Sequence, residues 1–231
     1  MARPLVLAVA LGCATPAAAQ FSGSLSIRSE DRLRGHSVSE GRPTMALDLS
    51  YDHPSGFYLD VIVRGVLARH EAPRLLAAEE NFGFAKQLRS NLSIDIGLTN
   101  SDYSKYYNGL RTAHYQEYYV GIITKQLAAH IHYSPRYFGL RVATLYGDVD
   151  GAIPLNEKWR LTAHLGVMWQ LSGDTPANIG RTHYDYRVGA AVRCGAVDLF
   201  AEWTGGGPDH DYYAHEVHSR NALVAGATLT F

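Results

Sequence analysis

Apolar and polar positions alternate over most of this chain, most regularly from Lys158 to Gln170. Trp159, Leu161, Ala163, Leu165, Val167 and Trp169 fall on one parity; Lys158, Arg160, Thr162, His164, Gly166, Met168 and Gln170 fall on the other. Side chains of a strand alternate faces, so the pattern predicts one long strand with an apolar face and a polar face. At about 3.3 Å per residue the two tryptophans lie about 33 Å apart, or about 25 Å along the normal of a bilayer crossed at a tilt near 40°. That is the height of the apolar band of a transmembrane barrel, with an aromatic at each edge. Strands of soluble sandwiches also alternate, but they run nearer about 5 to 6 residues.

Similar alternation predicts strands near 21–33, 43–52, 56–66, 80–88, 91–100, 112–123, 126–133, 138–147, 157–171, 183–193, 195–204 and 219–231. The expected fold is therefore all-β, an antiparallel transmembrane barrel of about twelve strands. An even number returns both chain ends to one side of the membrane. Odd-numbered connections are mostly long and even-numbered ones mostly short, the asymmetry of bacterial outer-membrane barrels. The brief connection 134–137 and the long one 148–156 depart from it.

Both ends of the chain agree with export. Met1 to Gln20 carries Arg3, an apolar run from Leu5 to Gly12 and the small residues Ala14-Thr15-Pro16-Ala17-Ala18-Ala19, the layout of a cleaved signal peptide cut after Ala19 or Gln20. Residues 21–231 then form one barrel domain. Losing the leader removes Arg3 and Cys13, so one of the 21 Lys+Arg goes, all 22 Asp+Glu stay, and the formal charge moves from -1 to -2. No basic footprint calls for nucleic acid, and Cys194 is left without an internal disulfide partner. At the other end, Leu223, Ala225, Ala227, Leu229 and Phe231 share an apolar face, and the chain stops on an aromatic. Outer-membrane barrels end in this way, on a residue read by the barrel-assembly machinery. Trp159, Trp169, Trp203 and Phe231 are the expected membrane-interface aromatics facing outer-membrane lipids.

The polar parity of these strands gives the expected pore lining: Arg28, Glu30, Asp48, Asp60, Arg64, Asp95, Glu117, Arg141, Arg160, His164, Asp185, Arg187, Arg193, Asp198 and Glu202. Neither sign is in clear excess. Such groups line a water-filled path or pair across it. Eight strands leave room only for side chains and sixteen give an open channel, so twelve is compatible with an open pore or a filled one.

The segment Ser29-Glu30-Asp31-Arg32-Leu33-Arg34-Gly35-His36-Ser37-Val38-Ser39, then Pro43 and Tyr51-Asp52-His53-Pro54-Ser55-Gly56-Phe57-Tyr58, resembles the opening of the TorF family of porin-like proteins. That family shows an SDYxFRGxSQS-like segment followed by an SGFY turn. Asp95-Ile96-Gly97, Tyr115 to Gly121, Tyr133-Ser134-Pro135 and Tyr184-Asp185-Tyr186 follow in the expected order, so the resemblance spans nearly all of the mature chain. Asp31 stands for the usual Tyr and Leu33 for Phe, while His36, Val38 and Glu40 also depart. The resemblance implies an outer-membrane barrel with a pore, and it carries no substrate or catalytic residue.

Signals for chemistry are sparse. His130-Ile131-His132 puts two imidazoles on one strand face, a spacing able to ligate zinc, but the sequence identifies no third ligand. The pair reads as lumen or girdle histidines, and neither metal nor cofactor is expected. Asp209-His210-Asp211-Tyr212-Tyr213 reads as a solvated outer loop and Gly205-Gly206-Gly207 as loop flexibility. No Ser sits in a recognisable motif with His and an acid. The expected function is passive diffusion of small hydrophilic solutes. The alternatives are a barrel enzyme, a narrow structural barrel, and a soluble secreted ligand-binding β-sandwich.

Overall fold

A computed structural model describes residues 20–67, 72–104, 113–139, 141–173, 180–207 and 220–231. Twelve antiparallel strands close into one barrel. They are β1 (Gln20–Arg28), β4 (Thr44–Asp52), β5 (Phe57–Val66), β6 (Arg74–Arg89), β7 (Leu92–Tyr103), β8 (Ala113–Ile123), β9 (Leu127–Ser134), β10 (Ala143–Pro154), β11 (Trp159–Ser172), β12 (Thr182–Cys194), β13 (Val197–Gly207) and β14 (Asn221–Thr230). Each pairs with its sequence neighbour, and β1 pairs with β14 from Ser24↔Thr230 to Arg28↔Gly226. Between β1 and β4 the chain forms a separate small hairpin, β2 (Arg32–Leu33) with β3 (His36–Ser37). No helix among the described residues is long and apolar enough to cross a membrane.

All twelve expected strands are present, and their limits differ in instructive ways. The strand expected over 138–147 occupies Ala143–Pro154. Its predecessor is followed by Pro135 and a single 3-10 turn at Tyr137–Gly139, in which Phe138 adopts a left-handed φ of 51°. Gly147-Asp148-Val149-Asp150-Gly151 has the composition of a turn, yet Tyr146, Asp148, Asp150 and Ala152 face inward while Leu145, Val149 and Ile153 face outward. With this shift the connections become 135–142 and 155–158, and both apparent departures from the long-and-short pattern disappear. Turns 53–56, 90–91, 124–126, 155–158 and 195–196 gather at one end with Gln20 and Phe231. The strand expected over 80–88 starts at Arg74, and the one expected over 21–33 stops at Arg28. Gly205-Gly206-Gly207 is the end of β13, not a loop.

The outer face is apolar on every barrel strand. Leu165 and Leu223 are each 66% exposed, and Val188 is 60% exposed. A contiguous apolar surface of this extent is what a lipid environment stabilises and water does not. Trp159, Trp169 and Trp203 all lie on this face. Phe231 follows β14 and knits the seam: its N–H donates to the Gly23 carbonyl, and the Gly23 N–H donates to its carbonyl, both at 2.9 Å. The Phe231 ring lies over Gly23, where a Cβ would stand 2.7 Å from it.

Candidate functional site

The interior divides into two parts. At the long-connection end, Leu33 and Val38 of the inserted segment pack against Val66, Leu76, Tyr103, Tyr115, Tyr137, Phe138, Tyr146 and Met168, forming a buried apolar cluster inside the barrel. Towards the short-turn end the wall is polar and charged. The segment 29–43 therefore folds into the lumen as a plug.

Local chemistry makes the plug a hairpin. Arg34 and Gly35 at its tip have φ of 47° and 82°, the paired positive values of a type I′ turn. A non-glycine residue in that region costs about 1–2 kcal/mol, and here the cost is offset by what the Arg34 side chain reaches. Its Nη2 donates to both carboxylate oxygens of Glu117 at 2.7 and 2.8 Å. The guanidinium carbon sits 3.9 Å from the centre of the Tyr146 ring and 5.1 Å from that of Tyr137. Burial alone would lower the Arg34 pKa, but the facing Glu117 carboxylate holds it well above the ordinary arginine value. The hairpin is braced from below by Val38 N–H to the Asp31 carbonyl at 2.9 Å, Asp31 N–H to Ser39 Oγ at 3.0 Å and Arg32 to Glu30 at 2.8 Å.

The glycines at the end of β13 are the seat of this hairpin. A Cβ at Gly35 would lie 2.6 Å from the Gly205 carbonyl oxygen and 2.8 Å from the Gly206 Cα. The run Gly205-Gly206-Gly207 thus keeps that stretch of wall free of side chains, so that one backbone lies directly on another. Replacing Gly35 with valine is expected to unseat the plug, since both its φ and its space exclude a side chain. Protease cleavage within 29–43 of the folded barrel measures this, and an unchanged digestion pattern would show that the seat is dispensable.

Most of the expected lining residues do face inward, and they pair rather than stand free. His164 lies 2.8 Å from Asp185 through Nε2 and 3.0 Å from Asp150 through Nδ1. Arg187 reaches Asp150 at 3.0 Å and Glu202 at 3.6 Å, and Arg28 lies 3.8 Å from Glu202. Asp198 receives Arg160 at 2.8 Å and Arg193 at 3.2 Å. Arg64 joins Glu79 at 2.8 Å to Asp31 at 3.6 Å. Asp95 accepts from Tyr58 at 2.8 Å, Asp60 is buried on the inner face of β5, and Asp48 lines the polar cavity. That cavity, of about 100 Å³, and a second of about 70 Å³ share Arg28 and Arg187. The two small cavities thus adjoin at these arginines in the barrel interior.

Two expectations need correction. Arg141 is exposed in the connection before β10, because that strand begins only at Ala143. Glu30 lies beyond β1, where it pairs with Arg32 at the root of the plug instead of lining a strand. Arg34, Glu79, Asp148, Asp150 and Tyr146 were missed. Asp148 and Asp150 fell in a stretch read as a turn, although their alternation with Val149 was a legible signal. Asp148 also supplies what the histidine pair lacked, for one ligand atom from each of His130, His132 and Asp148 lie within 4.8 Å of one another. The acidic stretch Asp209 to Tyr213 lies outside the described residues, as do residues 1–19 of the expected leader.

Among solved structures the fold is similar to the NanC porin, at 12% identity over 91% of this chain and 99% of that one, with a TM-score of 0.60. It is similar to the KdgM porin at 14% identity, 91% and 99% coverage and a TM-score of 0.54. An outer membrane channel from Pseudomonas putida F1 matches at 10% identity, 94% and 96% coverage and a TM-score of 0.52. At such identities the likeness concerns the barrel fold. No curated protein matches the chain by sequence. A family model does match, over residues 13–231, and the chain belongs to that family, described as bacterial protein of unknown function (Gcw_chp).

Proposed function

We propose that this protein is an outer-membrane channel for passive diffusion of small hydrophilic solutes, of the porin-like kind that the TorF resemblance implies, held closed by its own first long connection. The observation that carries the reading is a closed twelve-strand barrel whose inner wall is charged and whose plug sits at one end only. The long connections face the cell exterior and the short turns the periplasm, as the asymmetry of such barrels requires. Solutes pass along the polar side when segment 29–43 leaves its seat. Similarity of fold to the NanC and KdgM porins supports the reading. Purified protein in a planar bilayer tests it: voltage-dependent or transient conductance is expected, and a barrel silent at every voltage and salt concentration would reject the channel. The second reading is a narrow barrel that never opens, favoured by the apolar cluster that fills the plugged end.

Selectivity follows from the paired charges. Replacing Arg160 and Arg187 with glutamate removes two cations from the wall that faces Asp150, Asp198 and Glu202. Preference for cations is then expected to rise, because charges in a confined path act over the Debye length of about 8 to 10 Å. Reversal potentials across a salt gradient report the shift, which should shrink at 1 M salt, where screening shortens to about 3 Å. An unchanged reversal potential would place the conducting path elsewhere.

Assembly is proposed to depend on Phe231 as a residue presented to the barrel-assembly machinery. Burial of one aromatic contributes roughly 1.5–3 kcal/mol and each hydrogen bond about 0.5–1.5. Deleting Phe231 is expected to reduce surface-exposed, heat-modifiable protein in cells more than it reduces refolding in detergent. Equal losses in both would make it a packing residue of the seam and nothing more.

A further inference from the structure

We infer that the lumen wall carries a site for one divalent transition-metal ion of the zinc class, held by His130 and His132 of β9 and Asp148 of β10. The site needs neither an open pore nor the movement of the plug. His132 Nε2 lies 2.9 Å and His130 Nδ1 3.8 Å from oxygens of the Asp148 carboxylate. The three ligand atoms span at most 4.8 Å. Donors around a tetrahedral ion with bonds of about 2.0–2.2 Å stand about 3.3–3.6 Å apart, so a small rotation of the side chains closes the set.

Three further observations support an ion at this cluster. Nδ1 of His132 is buried without a hydrogen-bond partner, and His132 Nε2 and Asp148 Oδ2, 2.9 Å apart, have only each other. A buried polar group is normally bonded, so the protein alone leaves this imidazole incompletely satisfied. Second, the histidine carries the support that metal-bound imidazoles need. With Nδ1 turned to the ion, the Nε2 of His130 faces Asp95 Oδ2 at 3.4 Å, and Asp95 is itself fixed by Tyr58 at 2.8 Å. A carboxylate behind a ligating imidazole sets its tautomer and raises its basicity. Third, the wall is shaped for that ring. Gly121 of β8 lies between β9 and Asp95 of β7, and a Cβ there would stand 2.7 Å from His130 Nε2. Two neutral imidazoles and the carboxylates Asp148 and Asp95 balance the charge of one divalent ion. Imidazole ligands favour zinc, copper or nickel over magnesium and calcium.

The experiment uses the full mature barrel, purified without a histidine tag and folded in detergent. Titration with cobalt(II), followed by displacement with zinc(II), is read by visible absorption and calorimetry. One ion per barrel and the intense bands of four-coordinate cobalt are expected. Asp95→Asn should weaken binding by roughly 10- to 100-fold, and His132→Ala by more. X-ray absorption of the zinc-loaded wild type should report two imidazoles with oxygen donors, and this reading requires no variant to fold. A pale octahedral cobalt spectrum, an absorption edge without imidazole scattering, or a folded His132→Ala barrel that binds as tightly as the wild type would each overturn the site.

Discussion

Replacing Glu117 with alanine is expected to destabilise the barrel by about 3–5 kcal/mol and to raise its conductance severalfold. The figure follows from what remains. Arg34 is 7% exposed, and its guanidinium would lose the carboxylate that receives Nη2 at 2.7 and 2.8 Å. Stacking on Tyr146 continues, but a cation–π contact is worth about 2 kcal/mol when desolvated, less than an uncompensated buried charge costs. The hairpin then has two unfavourable choices. It can stay with an unpaired cation, or it can leave and expose Leu33 and Val38, now 5% and 1% accessible. Departure opens the polar side of the lumen, so the loss of stability and the gain in conductance should appear together.

The double replacement Arg34→Met with Glu117→Leu separates charge from shape. Buried ion pairs replaced by apolar residues of similar volume are often neutral or stabilising, so this variant should keep the plug seated and conduct no more than the wild type. Denaturant midpoints in detergent and bilayer recordings give both quantities for both variants. If Glu117→Ala neither loses stability nor gains conductance, the Arg34 clasp does not hold the plug.

The barrel was legible in the sequence because lipid and lumen act on alternate residues of every strand, and no tertiary accident is needed to produce a period of two. Leu161, Leu165 and Val167 could be assigned a face from parity alone. Strand limits were less legible where the inward face is built of aspartate and glycine. Between Tyr146 and Ala152 the residues that pair with His130 and His132 are also the residues that make turns, and local composition cannot separate the two uses. The plug was illegible for a different reason. Arg34 meets Glu117 across 83 positions and Met168 across 134, and nothing in the local pattern of 29–43 says whether it lies outside the barrel or inside. The positive φ values at Arg34 and Gly35 matter only once the wall at Gly205 and Gly206 is in place.

The same parity predicts the strongest effect on the outer face. Replacing Leu165 with arginine should cost about 2–4 kcal/mol in folding into bilayers, the cost of a cation near the midplane of the apolar band. Leu165 is central to β11, paired with Val149 of β10 and Tyr186 of β12, and its side chain is exposed on the outer face. Thr162, three positions away, is the control. Its hydroxyl is buried without a partner, and it lines the cavity of about 70 Å³ that also contains Asp150, Asp198 and Glu202. An arginine there enters a polar cavity already supplied with carboxylates, so its cost should be smaller despite the crowding. Reversible folding into vesicles of defined thickness measures both. A tolerated Leu165→Arg beside a Thr162→Arg that cannot fold would mean that the two faces are exchanged, and with them the lumen, the plug and the metal site.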